Sequence, residues 1–298
     1  MLRIEKIIEI LLTLEVSVDI SHGNNADEFY ENAKEFLKIK EAQNCLVIGI
    51  TDSVRKDKNK YSSEEPIFLI LKEESSIVGC ALMTPPYHLL ITELTDRACE
   101  NLSEYLIKND ITIPGVLGPK ESAHKLANLY ADKKKLKAKL KFEERVFQIN
   151  KVIHPKESQG VLKFPQMDKL ELLVEWGEEF CREAQLPEQS LKRMRRNMVT
   201  RIEEGGISIL EVDGKAVSMA GYAGKTPSGI RLGLVYTPHE FRNHGYASEL
   251  TAKLSQHLLD HGNDFCFLLT DLSNPTSNSI YKKIGYEEVC DLDMVESL

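Results

Sequence analysis

The 298-residue chain contains no C-x-x-C pair and no cysteine–histidine group at metal-ligand spacing. Its six cysteines, Cys45, Cys80, Cys99, Cys181, Cys266 and Cys290, stand singly and far apart. That pattern argues against a disulfide framework or a zinc module and for reduced thiols, so no metal is expected. Long apolar runs are missing as well. The stretch from Ile7 to Val18 is broken by Glu9 and Glu15 and suits neither a membrane span nor a signal-peptide core. Positive charge is scarce: 38 Lys and Arg against 46 Asp and Glu give a net charge of −8. This balance disfavours a phosphate-backbone partner and suits a cationic or neutral ligand. The run Lys133-Lys134-Lys135, continued by Lys137, Lys139 and Lys141, has no aromatic residue within it. It reads as a solvated helix face leading to a linker. A cytoplasmic protein with no nucleic-acid or membrane partner is the expectation.

What is present is ordinary globular material, 42% hydrophobic and 28% charged, long enough for two domains. In the first half, periodicity predicts an Asn-capped helix from Asn25 to Ile39 and a hairpin of Ile67–Leu71 with Ile77–Met83. A third strand over His88–Leu94 and helices over Asp96–Lys108 and Glu121–Lys139 follow. Between those helices, Pro114-Gly115 and Gly118-Pro119 bracket what reads as a tight loop. In the second half an extended stretch, Arg145–Ile153, precedes helices over Lys169–Ala184 and Ser190–Glu204. Asp213-Gly214 then joins Ile207–Val212 to Lys215–Ala223, a strong hairpin signal. Strands over Ile230–Tyr236 and Phe265–Thr270 and a helix over Asn274–Ile284 complete an α+β order with a partly parallel end. The two halves correspond loosely, with no residue-level repeat.

Between the Ile230–Tyr236 strand and the helix after it lies Arg242-Asn243-His244-Gly245-Tyr246-Ala247. A strand, a glycine turn and a helix start converge backbone N–H groups on one point, where the helix dipole also favours an anion. The spacing Arg-x-x-Gly-x-Ala resembles the pyrophosphate loop of the GNAT superfamily of N-acetyltransferases. Downstream, Asn274-Pro275-Thr276-Ser277, then Tyr281 and Gly285-Tyr286, resemble the last motif of the same family. The resemblance covers Arg145 to Leu298. The first half, with its Ile113–Pro119 segment, is similar to the N-terminal part of a bacterial two-domain subgroup. It lacks the loop: Thr95-Asp96-Arg97-Ala98 offers no glycine and places an Asp where phosphate would sit.

The resemblance implies tandem GNAT-like domains, residues 1–142 and 143–298. Each would be a mixed, mostly antiparallel sheet flanked by helices, with a splayed parallel strand pair in the second. It further implies acetyl-CoA as cosubstrate and direct acetyl transfer to a primary amine, small molecule or peptide, through a tetrahedral intermediate. Backbone amides near Leu234, Val235 and Tyr236 would face the thioester, with Thr237 on the pantetheine arm. Arg242, Asn243, His244, Gly245, Tyr246, Ala247 and Ser248 would form the pyrophosphate site, and Asn274 and Ser277 would lie along the coenzyme. Tyr281 stands at the general-acid position. For the base, Glu211 is the first candidate and His239 the second, though the family fixes neither position; water is a third route. Trp176 and Phe180, four apart, read as core, with a substrate-side aromatic as the alternative. The first half is expected to shape the acceptor site or to supply a homodimer contact. Two competitors stay open, a non-catalytic acyl-CoA sensor and an aminoacyl-tRNA-dependent transferase.

Overall fold

The computed structural model describes residues 18–155, 160–186 and 188–298. The apolar stretch before Val18 lies outside them. The chain divides into two units, residues 1–143 with Asp291–Leu298, and Glu144–Cys290.

In the first unit, β1 (Val18–Gly23), β2 (Ile67–Glu73), β3 (Ser76–Met83), β4 (Leu89–Ile91) and β5 (Gly115–Pro119) lie side by side in that order. β4 and β5 are parallel and the other neighbours antiparallel. Helices α1 (Ala26–Ile39) and α2 (Cys45–Lys56) bury Phe29, Ala33, Leu37, Val47 and Ile48 against Phe68, Ile70 and Leu82. Helices α3 (Asp96–Lys108) and α4 (Lys120–Lys134) bury Leu102, Leu106, Leu126 and Tyr130 with Leu69, Leu71 and Ile91. Opposite faces of alternating strands supply these two cores. Asn25 caps α1 by accepting hydrogen bonds from Asp27 N and Glu28 N.

The last strand of this unit comes from the far end of the chain. Within β12 (Glu287–Ser297), Leu292–Glu296 pairs antiparallel with β5. A Cβ on Gly115 would stand 2.4 Å from the Val295 carbonyl oxygen. Gly115 therefore serves close strand approach, and the segment read as a tight loop is β5. The tail read with residues 143–298 accordingly falls in the first unit from Asp291 onward. The lysine run also departs from one helix face. α4 stops at Lys134 because Lys135 turns left-handed at φ 60, and Lys137 onward leads into β6 (Ala138–Ile149).

The second unit repeats this strand order. β7 (Val161–Lys163), β8 (Ile207–Val212), β9 (Lys215–Lys225) and β10 (Gly229–Tyr236) are antiparallel neighbours, β11 (Phe265–Asp271) lies parallel to β10, and β6 closes antiparallel on β11. Asp213 (φ 49) and Gly214 (φ 76) make the turn between β8 and β9 that the Asp-Gly pair predicts. Helices α5 (Leu170–Glu183) and α6 (Glu188–Glu203) pack Leu173, Trp176, Cys181 and Met198 on one face of the sheet. Helices α7 (Tyr246–Asp260) and α8 (Pro275–Lys283) pack Leu250, Leu254, Leu258 and Tyr281 on the other. Among the described residues, no helix is long and apolar enough to cross a membrane.

Candidate active site

Two departures from regular structure open the second sheet at one end. β10 and β11 are in register at Gly229↔Phe265, Ile230↔Cys266 and Arg231↔Phe267, and form no further ladder pair among the described residues. β10 nevertheless runs on to Tyr236, held only by β9. Between Gly233↔Gly221 and Tyr236↔Met219 it carries one residue more than β9, and Leu234 takes φ 54. Such a bulge re-aims peptide groups and bends the strand. A leucine at positive φ is sterically costly, by about 1–2 kcal/mol, and outliers of this kind gather where geometry serves function. Ser218 Oγ, buried on β9, donates to the Tyr236 carbonyl at 3.0 Å and lies 2.9 Å from Thr237 Oγ1. Having one proton, it accepts from Thr237. The expected quartet Leu234–Thr237 thus sits on the spread strand edge, anchored by a serine that carries no signature in the sequence.

A 3-10 turn, His239–Phe241, leads from this edge to the loop. Asn243 (φ 65) and Gly245 (φ 81) are both left-handed, and Gly245 is the N-cap of α7 without any side-chain cap. Nothing lies within 4 Å of where a Gly245 Cβ would be. An uncapped helix start with open space before it presents the N–H groups of the first turn outward. His244 stacks on Tyr246 at 5.4 Å, flanking that opening, and Ala247 and Ser248 lie in the first turn of α7. These residues fit a diphosphate group. The corresponding helix start in the first unit is closed: Thr95 caps α3 by accepting from Ala98 N at 3.2 Å.

Arg242 turns away from the opening. Its Nε donates to the Thr237 carbonyl at 2.8 Å and its Nη2 reaches both Glu183 carboxylate oxygens at 2.8 Å. The residue expected to contribute charge to the phosphate position instead ties the loop to the end of α5. Its guanidinium also lies 5.6 Å from the Tyr236 ring centre.

On the other side of the opening, Asn274 Oδ1 caps α8 by accepting from Ser277 N at 3.1 Å. The carbonyl end of Asn274 is therefore committed to the helix. Tyr281 is 9% exposed, with Phe147 and Tyr286 rings at 6.1 and 5.8 Å. Among the described residues none hydrogen-bonds its hydroxyl. Burial pushes its pKa up to about 12, so the phenol keeps its proton far above neutral pH.

The carboxylates at this end are not the expected one. Glu211 lies on β8, two strands from β10, and pairs with Lys163 of β7. The fold does not bring it to Tyr281. Instead the Tyr236 hydroxyl lies 2.9 Å from Glu179 Oε2 and 3.1 Å from Glu183 Oε1, both from α5, its single proton shared between them. His239, the second candidate base, lies 3.3 Å from Glu183 and is itself well exposed. Glu179 and Glu183 escaped the sequence reading because acids four apart on an amphipathic helix look like a solvated stripe. Trp176, one turn before Glu179, is buried in the α5–α6 core, as the packing reading expects.

Residues 203–294 match the family model described as FR47-like protein, a GNAT-related domain. No match is found among the curated proteins. Among solved structures, the chain is similar to a GCN5-related N-acetyltransferase from Sphaerobacter thermophilus, with 12% identity over 94% of this chain and 95% of that one and a TM-score of 0.60. It is likewise similar to an acetyltransferase of the GNAT family from Colwellia psychrerythraea, at 11% identity over 95% and 100% with a TM-score of 0.58. A tandem GNAT protein from the clavulanic acid biosynthesis pathway aligns at 10% identity over 95% and 98%, with a TM-score of 0.52. The fold is the tandem GNAT fold. The family-model match holds the glycine loop and Tyr281 but begins only after α5, where Glu179 and Glu183 reside.

Proposed function

We propose that this tandem GNAT-fold protein is an acetyl-CoA-dependent N-acetyltransferase that moves the acetyl group directly to a primary amine. The observation that carries the reading is the joint presence of a spread β10–β11 edge and an uncapped, glycine-led α7 beside it. When bound, acetyl-CoA supplies the activated acyl thioester. Asn243 to Ser248 would hold its diphosphate through backbone N–H groups, and the open edge of β10, with Thr237, would pair with the extended arm as an added strand. N–H groups turned by the Leu234 bulge would donate to the carbonyl oxygen as negative charge builds there. Tyr281, whose proton is retained well above neutral pH, would release it at the departing sulfur.

The attacking amine must be neutral. A lysine-like amine at pH 7 is so about once in 2,500 molecules, a deficit of roughly 4.6 kcal/mol. Glu211 is held by Lys163 and Glu183 by Arg242, which leaves Glu179, fastened to the end of β10 through Tyr236, to orient the ammonium and pass its proton to water. The first unit, with its helix start closed by Thr95, would hold no second coenzyme.

The test is a mass-spectrometric screen of a mixed amine library incubated with acetyl-CoA and the full chain. Acetylated products that vanish in Gly245→Val support the transferase. Saturable coenzyme binding with no acetylated amine would overturn it in favour of an acyl-CoA sensor.

A further inference from the structure

Strand alternation gives β10 two different faces. Ile230 and Leu232 pack with α7, so Arg231 and Gly233 point to the opposite side, that of α5 and α6. There Arg201, from the last turn of α6, lies over β9. A Cβ on Gly221 would stand 2.8 Å from Arg201 Nη1. Arg231 lies beside Gly224, whose φ is 73 and whose Cβ would stand 3.6 Å from Arg231 Nε. Gly233 pairs with Gly221 across the two strands, and nothing lies within 4 Å of its own Cβ position. Gly233 thus leaves an open space beside guanidinium groups from two elements.

Neither cation is neutralised. Arg201 Nη1 donates to the Gly206 and Tyr222 carbonyls, both at 3.2 Å. Its Nε and Nη2 protons have no acceptor among the described residues. Arg231 makes no hydrogen bond or ion pair among the described residues. Burial, and next the charge of Arg231, lower the Arg201 pKa, yet a guanidinium stays charged at neutral pH. Two carboxylates face the pair, Glu144 on β6 and Glu204 just past α6, and neither comes within ion-pair reach of an arginine. Burial raises the Glu144 pKa, and Glu204 is exposed. Two like charges with unused N–H donors, next to a space no side chain enters, are the chemistry that takes an anion.

We propose that the space over Gly233 takes the carboxylate of an amino acid-like ligand, held by Arg201 and Arg231. A flat, singly charged carboxylate matches the edge of a guanidinium. A dianionic phosphate would be repelled more strongly by Glu144 and Glu204. Gly233 lies between Arg231, the last residue of β10 paired with β11, and the Leu234 bulge. On the transferase reading the carboxylate therefore belongs to the acceptor, with its amine directed along β10, and the inference rests on that reading only in this naming. Anion binding itself requires no coenzyme. The diphosphate position at Gly245 belongs to α7, which packs on the other face of the sheet. A net charge of −8 gives no sign of such a site, because distant acids are screened beyond about 10 Å while the two arginines act at short range.

Benzoate is titrated into the full chain against its neutral match, benzamide, while nitrogen–proton spectra follow the arginine Nε–H signals. Saturable shifts at Arg201 and Arg231 are expected with benzoate, and binding at least tenfold weaker with benzamide. Arg231→Gln should weaken benzoate tenfold or more. Gly233→Val, whose side chain enters the open space, should do the same with both arginines in place, and it decides the matter should Arg231→Gln fail to fold. Arg196→Gln, which removes an exposed arginine elsewhere on α6, should change binding less than twofold. Equal binding of benzamide, equal effects of the Arg196 and Arg231 variants, or no saturable shift overturns the proposal. So does phenyl phosphate binding tenfold more tightly than benzoate. With acetyl-CoA present, amino acids should be acetylated in preference to their carboxamides. Benzoate binding without any acetylated product would sink the transferase and leave this cleft standing, and faster acetylation of the carboxamides would do the reverse.

Discussion

Arg242 Nη2 stands 2.8 Å from both carboxylate oxygens of Glu183, so the first residue of the glycine loop is fastened to the last turn of α5. The helix that carries the acidic side chains and the glycine loop are thereby joined through one ion pair. Both side chains are about a third or more exposed, 32% and 42%. Such a pair contributes at most about 1 kcal/mol to folding. Its consequence lies in where it holds the loop.

Glu183→Gln and Arg242→Gln should each weaken coenzyme binding severalfold while lowering the melting temperature little. In a double-mutant cycle the two losses should overlap, leaving a coupling of about 1 kcal/mol in coenzyme affinity. Calorimetric titration of the four proteins measures it. Strict additivity would show that Arg242 contacts the coenzyme on its own account.

Gly245 is fixed by backbone geometry. At φ 81 an L side chain costs about 1–2 kcal/mol, although open space surrounds its Cβ position. Gly262, just beyond α7, has φ 89 and the same open surroundings. Gly245→Ala and Gly262→Ala should therefore destabilise the fold alike, by chemical denaturation. Only Gly245→Ala should weaken coenzyme binding, by tenfold or more, since it alone alters the cradle.

These contrasts mark what a sequence can and cannot disclose. The Gly245 loop and the Asn274–Tyr281 helix were legible because their backbone geometry depends on neighbours close along the chain: a left-handed glycine, a cap, a helix turn. The hairpin at Asp213-Gly214 was legible for the same reason. The pairing of the chain's last strand with β5 was not, because β5 accepts Leu292–Glu296 from more than 170 residues away, and no local pattern names a distant partner. Helix α2 was missed too: Asn44 before it makes no side-chain cap, and Gly49 interrupts its pattern. Glu211 drew attention by strand alternation, yet Lys163 on a three-residue strand, too short to leave a pattern, neutralises it. Arg242 was assigned by spacing, and its real partner is a carboxylate nearly 60 residues earlier.

On the proposed mechanism, Tyr281 would link catalysis and stability through one proton. If it is the acid, Tyr281→Phe should lower kcat by about 10²-fold or more with little change in coenzyme affinity. Its folded pKa of about 12 lies above the ordinary value of 10. The unfolded chain therefore loses this proton first as pH rises. The stability it contributes is fully present below pH 10 and declines between about pH 10 and 12, by roughly 2–3 kcal/mol. Urea unfolding across that window should fall less steeply for Tyr281→Phe than for the wild type. A full kcat in the variant would remove the acid assignment whatever the stability curve shows.

The two units differ most clearly at the start of one helix. Thr95 spends its side chain on the Ala98 N–H of α3, whereas α7 opens on Gly245 with no side-chain cap. An anion at α3 would have to displace that cap and approach Asp96, so both terms oppose it. Calorimetry should give one coenzyme per chain, and Thr95→Ala should keep that stoichiometry while costing about 1 kcal/mol of stability. Two equivalent sites in the wild type, or a second site appearing in Thr95→Ala, would mean that the cap is not what closes the first unit.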